Sequence, residues 1–131
     1  MGVTYLLDTH VLLWLIGDPG QLDEEQRSHL ADRRKVLLVS AVSALEVATK
    51  VRLGKLVAPG LVDAWSRRIA DIGAEELPIT GTHALLAGSM SWQHRDPFDR
   101  LLVAQGIVES ATLVTRDSAM RQLPAPRLWM V

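Results

Sequence analysis

Asp8, Glu46, Asp99 and Asp117 are the residues of this 131-residue chain whose types and positions point to chemistry. Asp8 ends an apolar run of strand length. Glu46 falls in the second turn of a helix that follows a second such run. Asp99 lies in the first turn of a helix, and Asp117 comes two residues after the run Thr112–Thr115. Carboxylates gathered within a few ångströms repel one another, and some stay protonated at neutral pH. A hard divalent cation removes that conflict. Mg²⁺ and Mn²⁺ take oxygen ligands from a few carboxylates, waters and substrate phosphate. Such an ion activates a water and stabilises the charge that builds on phosphoryl oxygens. The chemistry suited to this set is phosphodiester hydrolysis.

Each acid also has an ordinary role open to it. Asp8 can cap a helix starting near Thr9. Glu46 can pair with Lys50 at i,i+4. Asp99 occupies the N3 slot of a capping arrangement headed by Asp96, and Asp117 can cap the short helix after it. The coincidence of all four at one edge of a sheet is harder to explain by capping and pairing alone.

That edge follows from the alternation of short apolar runs with helical patterns, the signature of an α/β domain. Strands are predicted at Val3–Leu7, Val36–Val39, Glu76–Ile79, Thr112–Thr115 and Arg127–Met130. Helices are predicted from Thr9 to Gly17, from Asp23 to about Lys35, and from Ala41 to Leu53. Further helices run from Pro59 to about Ile72, from Thr80 or Thr82 to about Met90, and from Pro97 to about Glu109. A short one covers Asp117–Leu123. Ser40 is a candidate N-cap, and Gly54 sits where a C′ glycine belongs. Pro97 suits the first helical position, which makes Asp96 the N-cap. The expected fold is a three-layer α/β domain spanning residues 1–131, with a mostly parallel five-stranded sheet. Such sheets bind ligands beyond the carboxyl ends of their strands, at the topological switch point.

Composition narrows the classes. The chain has no cysteine, which excludes a disulfide scaffold, a thiol nucleophile and Cys-based metal sites. No apolar run approaches the ~20 residues of a membrane span, and the N-terminal stretch lacks the pattern of a signal peptide. A cytoplasmic protein with no membrane association is the expectation. The net charge of −1 is not a strongly basic nucleic-acid footprint. Setting aside the four site carboxylates takes it from −1 to +3. Arg33-Arg34-Lys35, Lys50, Arg52, Lys55 and Arg67-Arg68 are then candidate phosphate contacts.

Leu6-Leu7-Asp8-Thr9-His10, Ser43-Ala44-Leu45-Glu46-Val47, His94 to Leu102 and Leu113-Val114-Thr115-Arg116-Asp117 together resemble the PIN-domain ribonucleases. The resemblance is greatest to the VapC toxins of bacterial type II toxin–antitoxin systems, and it covers essentially the whole chain. Its most specific parts are Pro97-Phe98-Asp99 and Lys50–Leu56. The resemblance implies a PIN fold and metal-binding catalytic acids at Asp8, Glu46, Asp99 and Asp117. The family motif Asp-x-x-Leu-x-Ala fits Asp99–Ala104, which selects Asp99 over Asp96. Thr115 falls where a supporting hydroxyl is common, and Thr9 is a second supporting candidate. The resemblance further implies Mg²⁺ or Mn²⁺ as cofactor, an RNA substrate cut endonucleolytically, a VapB-like antitoxin and a homodimer.

His94, Arg95 and Trp92 lie in the loop beside the expected site and are candidate RNA contacts, with loop or core packing the competing role. His83 is expected to order the start of its helix, and His29 to lie on the surface. Trp14, Trp65 and Trp129 read as core or interface. Two other functions compete. One is a PIN fold kept as a non-catalytic protein-binding module. The other is a receiver-type signalling domain, disfavoured because Asp8 stands alone and no lysine follows a late strand.

Overall fold

A computed structural model describes residues 2–131. The strands are β1 (Thr4–Leu7), β2 (Val36–Ser40), β3 (Glu75–Leu77), β4 (Thr112–Thr115) and β5 (Leu128–Met130). They form one sheet in the order β3-β2-β1-β4-β5, and every pairing is parallel. The helices are α1 (Thr9–Gly17), α2 (Glu24–Ala31), α3 (Ala41–Arg52), α4 (Trp65–Asp71), α5 (Gly81–Ser89) and α6 (Pro97–Val108).

Alternation along the strands explains the layers. Successive side chains of a strand face opposite sides of the sheet. Leu7, Leu37, Val39 and Val114 join Val11, Leu12, Leu22, Leu30 and Ile69 in one core. Leu6 and Leu113 join Val42, Trp92, Leu102, Val103 and Met120 in the other. Both faces are therefore covered, which is why the central strands read as continuous apolar runs. The strand order reverses between β1 and β4, so the residues after Leu7 and Thr115 flank the switch point. Among the described residues no helix is long and apolar enough to cross a membrane.

Local signals set most boundaries. Asp8 caps α1, Ser40 caps α3 and Asp96 caps α6, each through a backbone N–H two residues on. Helix α3 ends in a Schellman turn. The Gly54 N–H reaches the Val51 carbonyl, the Lys55 N–H reaches that of Lys50, and Gly54 takes φ +72°. His83 and Thr80 form a reciprocal cap on α5, as expected of His83.

Three boundaries differ from the sequence expectation by two residues or more. Helix α2 stops at Ala31 because the Asp32 carboxylate takes the Arg34 N–H and guanidinium, turning the chain before Lys35. The stretch after Pro59 is a series of turns, with Gly60 at φ +76°, and helix begins only at Trp65. Strand β3 ends at Leu77 because Pro78 has no N–H to extend the ladder. The segment after Asp117 is a 3₁₀ turn, Ser118–Gln122.

Candidate active site

Asp8 leaves the carboxyl end of β1 and is buried. Its Oδ1 accepts the His10 N–H at 3.3 Å, and its Oδ2 accepts the Thr115 hydroxyl at 2.6 Å. The cap and the site are thus the same carboxylate. Burial pushes its pKa up, against the pull of the Thr115 and His10 hydrogen bonds, and the nearby Glu46 charge raises it further. Thr115 also accepts the Asp117 N–H at 3.0 Å, which ties the segment after β4 to Asp8. Thr9, next in the chain, shares a 2.8 Å hydrogen bond with the buried Ser43 hydroxyl, which joins the start of α1 to α3.

Glu46 projects from α3 and meets Lys50 at 2.5 Å. The pairing with Lys50 and the approach to Asp8 are therefore both real. The Glu46 contact is the main reason the Lys50 ammonium holds its proton more tightly, and the charges of Asp96 and Asp99 add to it. Lys50 thus brings a positive charge to the rim of the acidic basin.

Helix α6 separates its two acids by function. The Asp96 carboxylate accepts the Phe98 N–H at 2.9 Å, with Pro97 at the first helical position. Asp99, one turn further in, is free of capping. Its Oδ2 accepts a 2.7 Å hydrogen bond from His94 Nε2. Burial pushes the Asp99 pKa up to about 6; the His94 hydrogen bond opposes this, and the Asp96 and Asp8 charges reinforce it. Ligand atoms of His94, Asp99 and Asp117 all lie within 4.8 Å of one another. Asp117 also caps the 3₁₀ turn after it, through Ala119 N–H.

The fold therefore brings Asp99 and Asp117 together, with Asp8 and Glu46 bordering them. The tightest trio includes His94, which the sequence suggested only as an RNA contact. Oxygen donors in a desolvated, mutually repelling set suit a hard divalent cation.

Of the two roles the sequence leaves open to Trp92, RNA contact and core packing, the structure places it in core packing. It is buried, belongs to the core and stacks on His94 with centroids 4.6 Å apart. No ring face is left for a base. Arg95 is exposed in the same loop.

Sequence reasoning missed Arg100. Its guanidinium donates to the carbonyls of Ala87 at 2.7 Å, Met90 at 2.8 Å and His94 at 3.0 Å, and to that of Trp92. This clamp gives the loop carrying His94 its shape. An arginine directly after a site acid was the available signal, but acceptors that are all backbone carbonyls leave no side-chain trace in a sequence.

Comparison with known proteins agrees with this architecture. The PIN domain profile matches residues 5–126. Ribonuclease VapC22 of Mycobacterium tuberculosis (strain ATCC 25618 / H37Rv) is 30% identical over 125 residues, 95% of each chain. Among solved structures, VapBC2 from Rickettsia felis, bound to a DNA fragment from the VapBC2 promoter, is similar at TM-score 0.73 and 16% identity, over 98% of both chains. VapBC-5 from Mycobacterium tuberculosis, a member of the VapBC family of toxin-antitoxin systems, is similar at TM-score 0.61 and 15% identity, again over 98% of both chains. A parallel sandwich with acids at its switch point defines the class, and the chain belongs to the PIN-domain family, in its VapC-type branch.

Proposed function

We propose that this chain is a metal-dependent endoribonuclease toxin that hydrolyses RNA phosphodiester bonds and is restrained by a VapB-like antitoxin. The observation that carries the reading is the convergence of Asp99 and Asp117 beside buried Asp8 at the switch point of a PIN fold. The VapC ribonuclease relative and the VapBC structures support it.

Asp8, Glu46, Asp99 and Asp117 are the residues we assign to hold the cation, Mg²⁺ or Mn²⁺. That ion, when bound, supplies an activated water and stabilises charge on the phosphoryl oxygens. Thr115 orients Asp8 and anchors the Asp117 backbone, and Thr9 with Ser43 fixes α1 against α3. Lys50 holds Glu46 and offsets part of the basin's negative charge as an RNA backbone approaches. His94 shares its Nε2 proton with Asp99, and that contact must open if the imidazole or Asp99 Oδ2 becomes a ligand. His94 and the exposed Arg95 remain candidate RNA contacts. We also propose a single catalytic domain, a homodimer and a cytoplasmic location, on the strength of the family resemblance.

Purified protein incubated with total RNA, with and without Mg²⁺ or Mn²⁺, tests the reading when the new 5′ ends are mapped. Discrete cuts that vanish in EDTA and return with metal are expected. Undiminished cleavage in excess EDTA overturns the metal mechanism. Tight metal binding with no cleavage favours a PIN fold kept for protein binding. Expression of the chain alone should be toxic, and Asp8→Asn should remove the toxicity.

A further inference from the structure

Beside the acids, on the α1 side of the switch point, three planar groups meet. The Arg116 guanidinium carbon lies 5.1 Å from the centre of the Trp14 ring. His10 meets the same ring edge-on, with centroids 5.9 Å apart and planes at 77°. Each is tied to the site. His10 N–H is bonded to the Asp8 carboxylate, and Arg116 immediately precedes Asp117. Trp14 sits one helical turn beyond His10 and packs against the core, which gives the group a fixed base.

The fold makes little use of these groups. Arg116 and His10 are exposed. Among the described residues neither enters an ion pair, although carboxylates lie close by. An exposed arginine held over an indole, next to an acid cluster, offers a planar cation and an aromatic ring together. Unstacked bases pack on such guanidinium planes and aromatic rings, and the cation adds to the attraction.

We propose that Arg116, seated on Trp14 and flanked by His10, is a ledge that stacks a nucleobase of single-stranded RNA beside the acid cluster. This rests on the nuclease reading above and adds to it a base-holding subsite. Trp92, taken up by His94 and the core, cannot do this work on the opposite rim.

The test is binding of a fluorescein-labelled single-stranded RNA octamer in Ca²⁺, read by anisotropy. The same octamer with abasic nucleotides is the control. Wild type is compared with Arg116→Ala, Arg116→Lys and His10→Ala, and RNA cleavage in Mn²⁺ is run in parallel. Arg116→Ala and Arg116→Lys should both weaken the intact octamer about ten-fold, the size of one lost base stack. That loss should disappear with the abasic octamer. His10→Ala should weaken the intact octamer as well.

Wild-type affinity in Arg116→Lys, with loss only in Arg116→Ala and a salt slope lower by about one, would identify a phosphate contact and overturn the ledge. Equal wild-type binding of intact and abasic octamers overturns it too. Wild type that cleaves RNA while the Arg116 variants bind and cleave normally removes the ledge alone. Wild type that neither binds nor cleaves removes the nuclease reading, and the ledge with it.

Discussion

The Thr115 hydroxyl donates to Asp8 Oδ2 at 2.6 Å across 107 residues of sequence. The Thr115 hydroxyl oxygen in turn accepts the Asp117 N–H. One small side chain therefore joins the carboxyl ends of the two strands that flank the switch point. Thr115→Val keeps the shape and removes both hydrogen bonds. It leaves a buried carboxylate short of a donor, at a cost of about 1–3 kcal/mol. Cleavage or metal affinity should fall roughly 10–100-fold, as for other partners of metal ligands. Thr115→Ser should retain most activity. Titration of metal with a fluorescence readout and a cleavage time course would check both, and full activity in Thr115→Val would contradict the role.

The neighbouring acids Asp96 and Asp99 should separate cleanly. Asp96 caps α6, so Asp96→Ala should cost about 1 kcal/mol, a drop of roughly 3–6 °C in melting temperature. Asp96→Asn keeps an oxygen at the cap and should preserve stability and most activity. Asp99→Asn should nearly abolish cleavage without destabilising the metal-free protein. Loss of activity in Asp96→Asn with activity spared in Asp99→Asn would reverse the assignment.

Stability of the metal-free protein should depend on pH through Asp99. Its carboxyl titrates near 3.8 when unexposed to these influences and is pushed up to about 6 in the fold, chiefly by burial. Between those values the folded state holds a proton that the unfolded state has released. Stability therefore falls as pH rises from about 4 to about 6, and buried Asp8 acts in the same direction. Melting curves in EDTA across this range should show a steeper decline for wild type than for Asp99→Asn. With Mn²⁺ present the trend should reverse, because binding requires deprotonated ligands. Parallel wild-type and Asp99→Asn curves would refute the shift.

Arg100 should prove structural and functional at once. Lysine retains the charge but not the planar fork that serves several carbonyls together. Arg100→Lys should cost about 2–3 kcal/mol, the scale of hydrogen bonds to a charged group. Cleavage should also fall, because the loop that places His94 loses its clamp. Chemical denaturation and a cleavage assay on the same preparation would test this. Unchanged stability would mean the loop is held by other contacts.

The sequence by itself indicated the alternation of strands and helices, the caps at Ser40 and Asp96, and the four acids at one sheet edge, and it left the Asp8 cap open as an alternative to a site role. These signals are local: a cap acts within one turn, a buried strand shows as an apolar run, and strand-end positions follow from both. The element boundaries near Asp32, Gly60 and Pro78 were less legible, because a side-chain turn, a positive φ and a missing N–H override periodicity over only a few residues. The tertiary structure alone decided which acids stand closest, and that His94 belongs with Asp99 and Asp117. It alone placed Trp92 in the core rather than on the RNA side, and Arg116 on Trp14. The approach of Asp117 to His94 and Asp99, and of Arg116 to Trp14, joins segments distant in the chain. The loop between α5 and α6 carries no periodic pattern, and its path is set by Arg100 through backbone carbonyls that every residue possesses. Residue types announce what chemistry is available; only packing brings particular side chains within bonding distance.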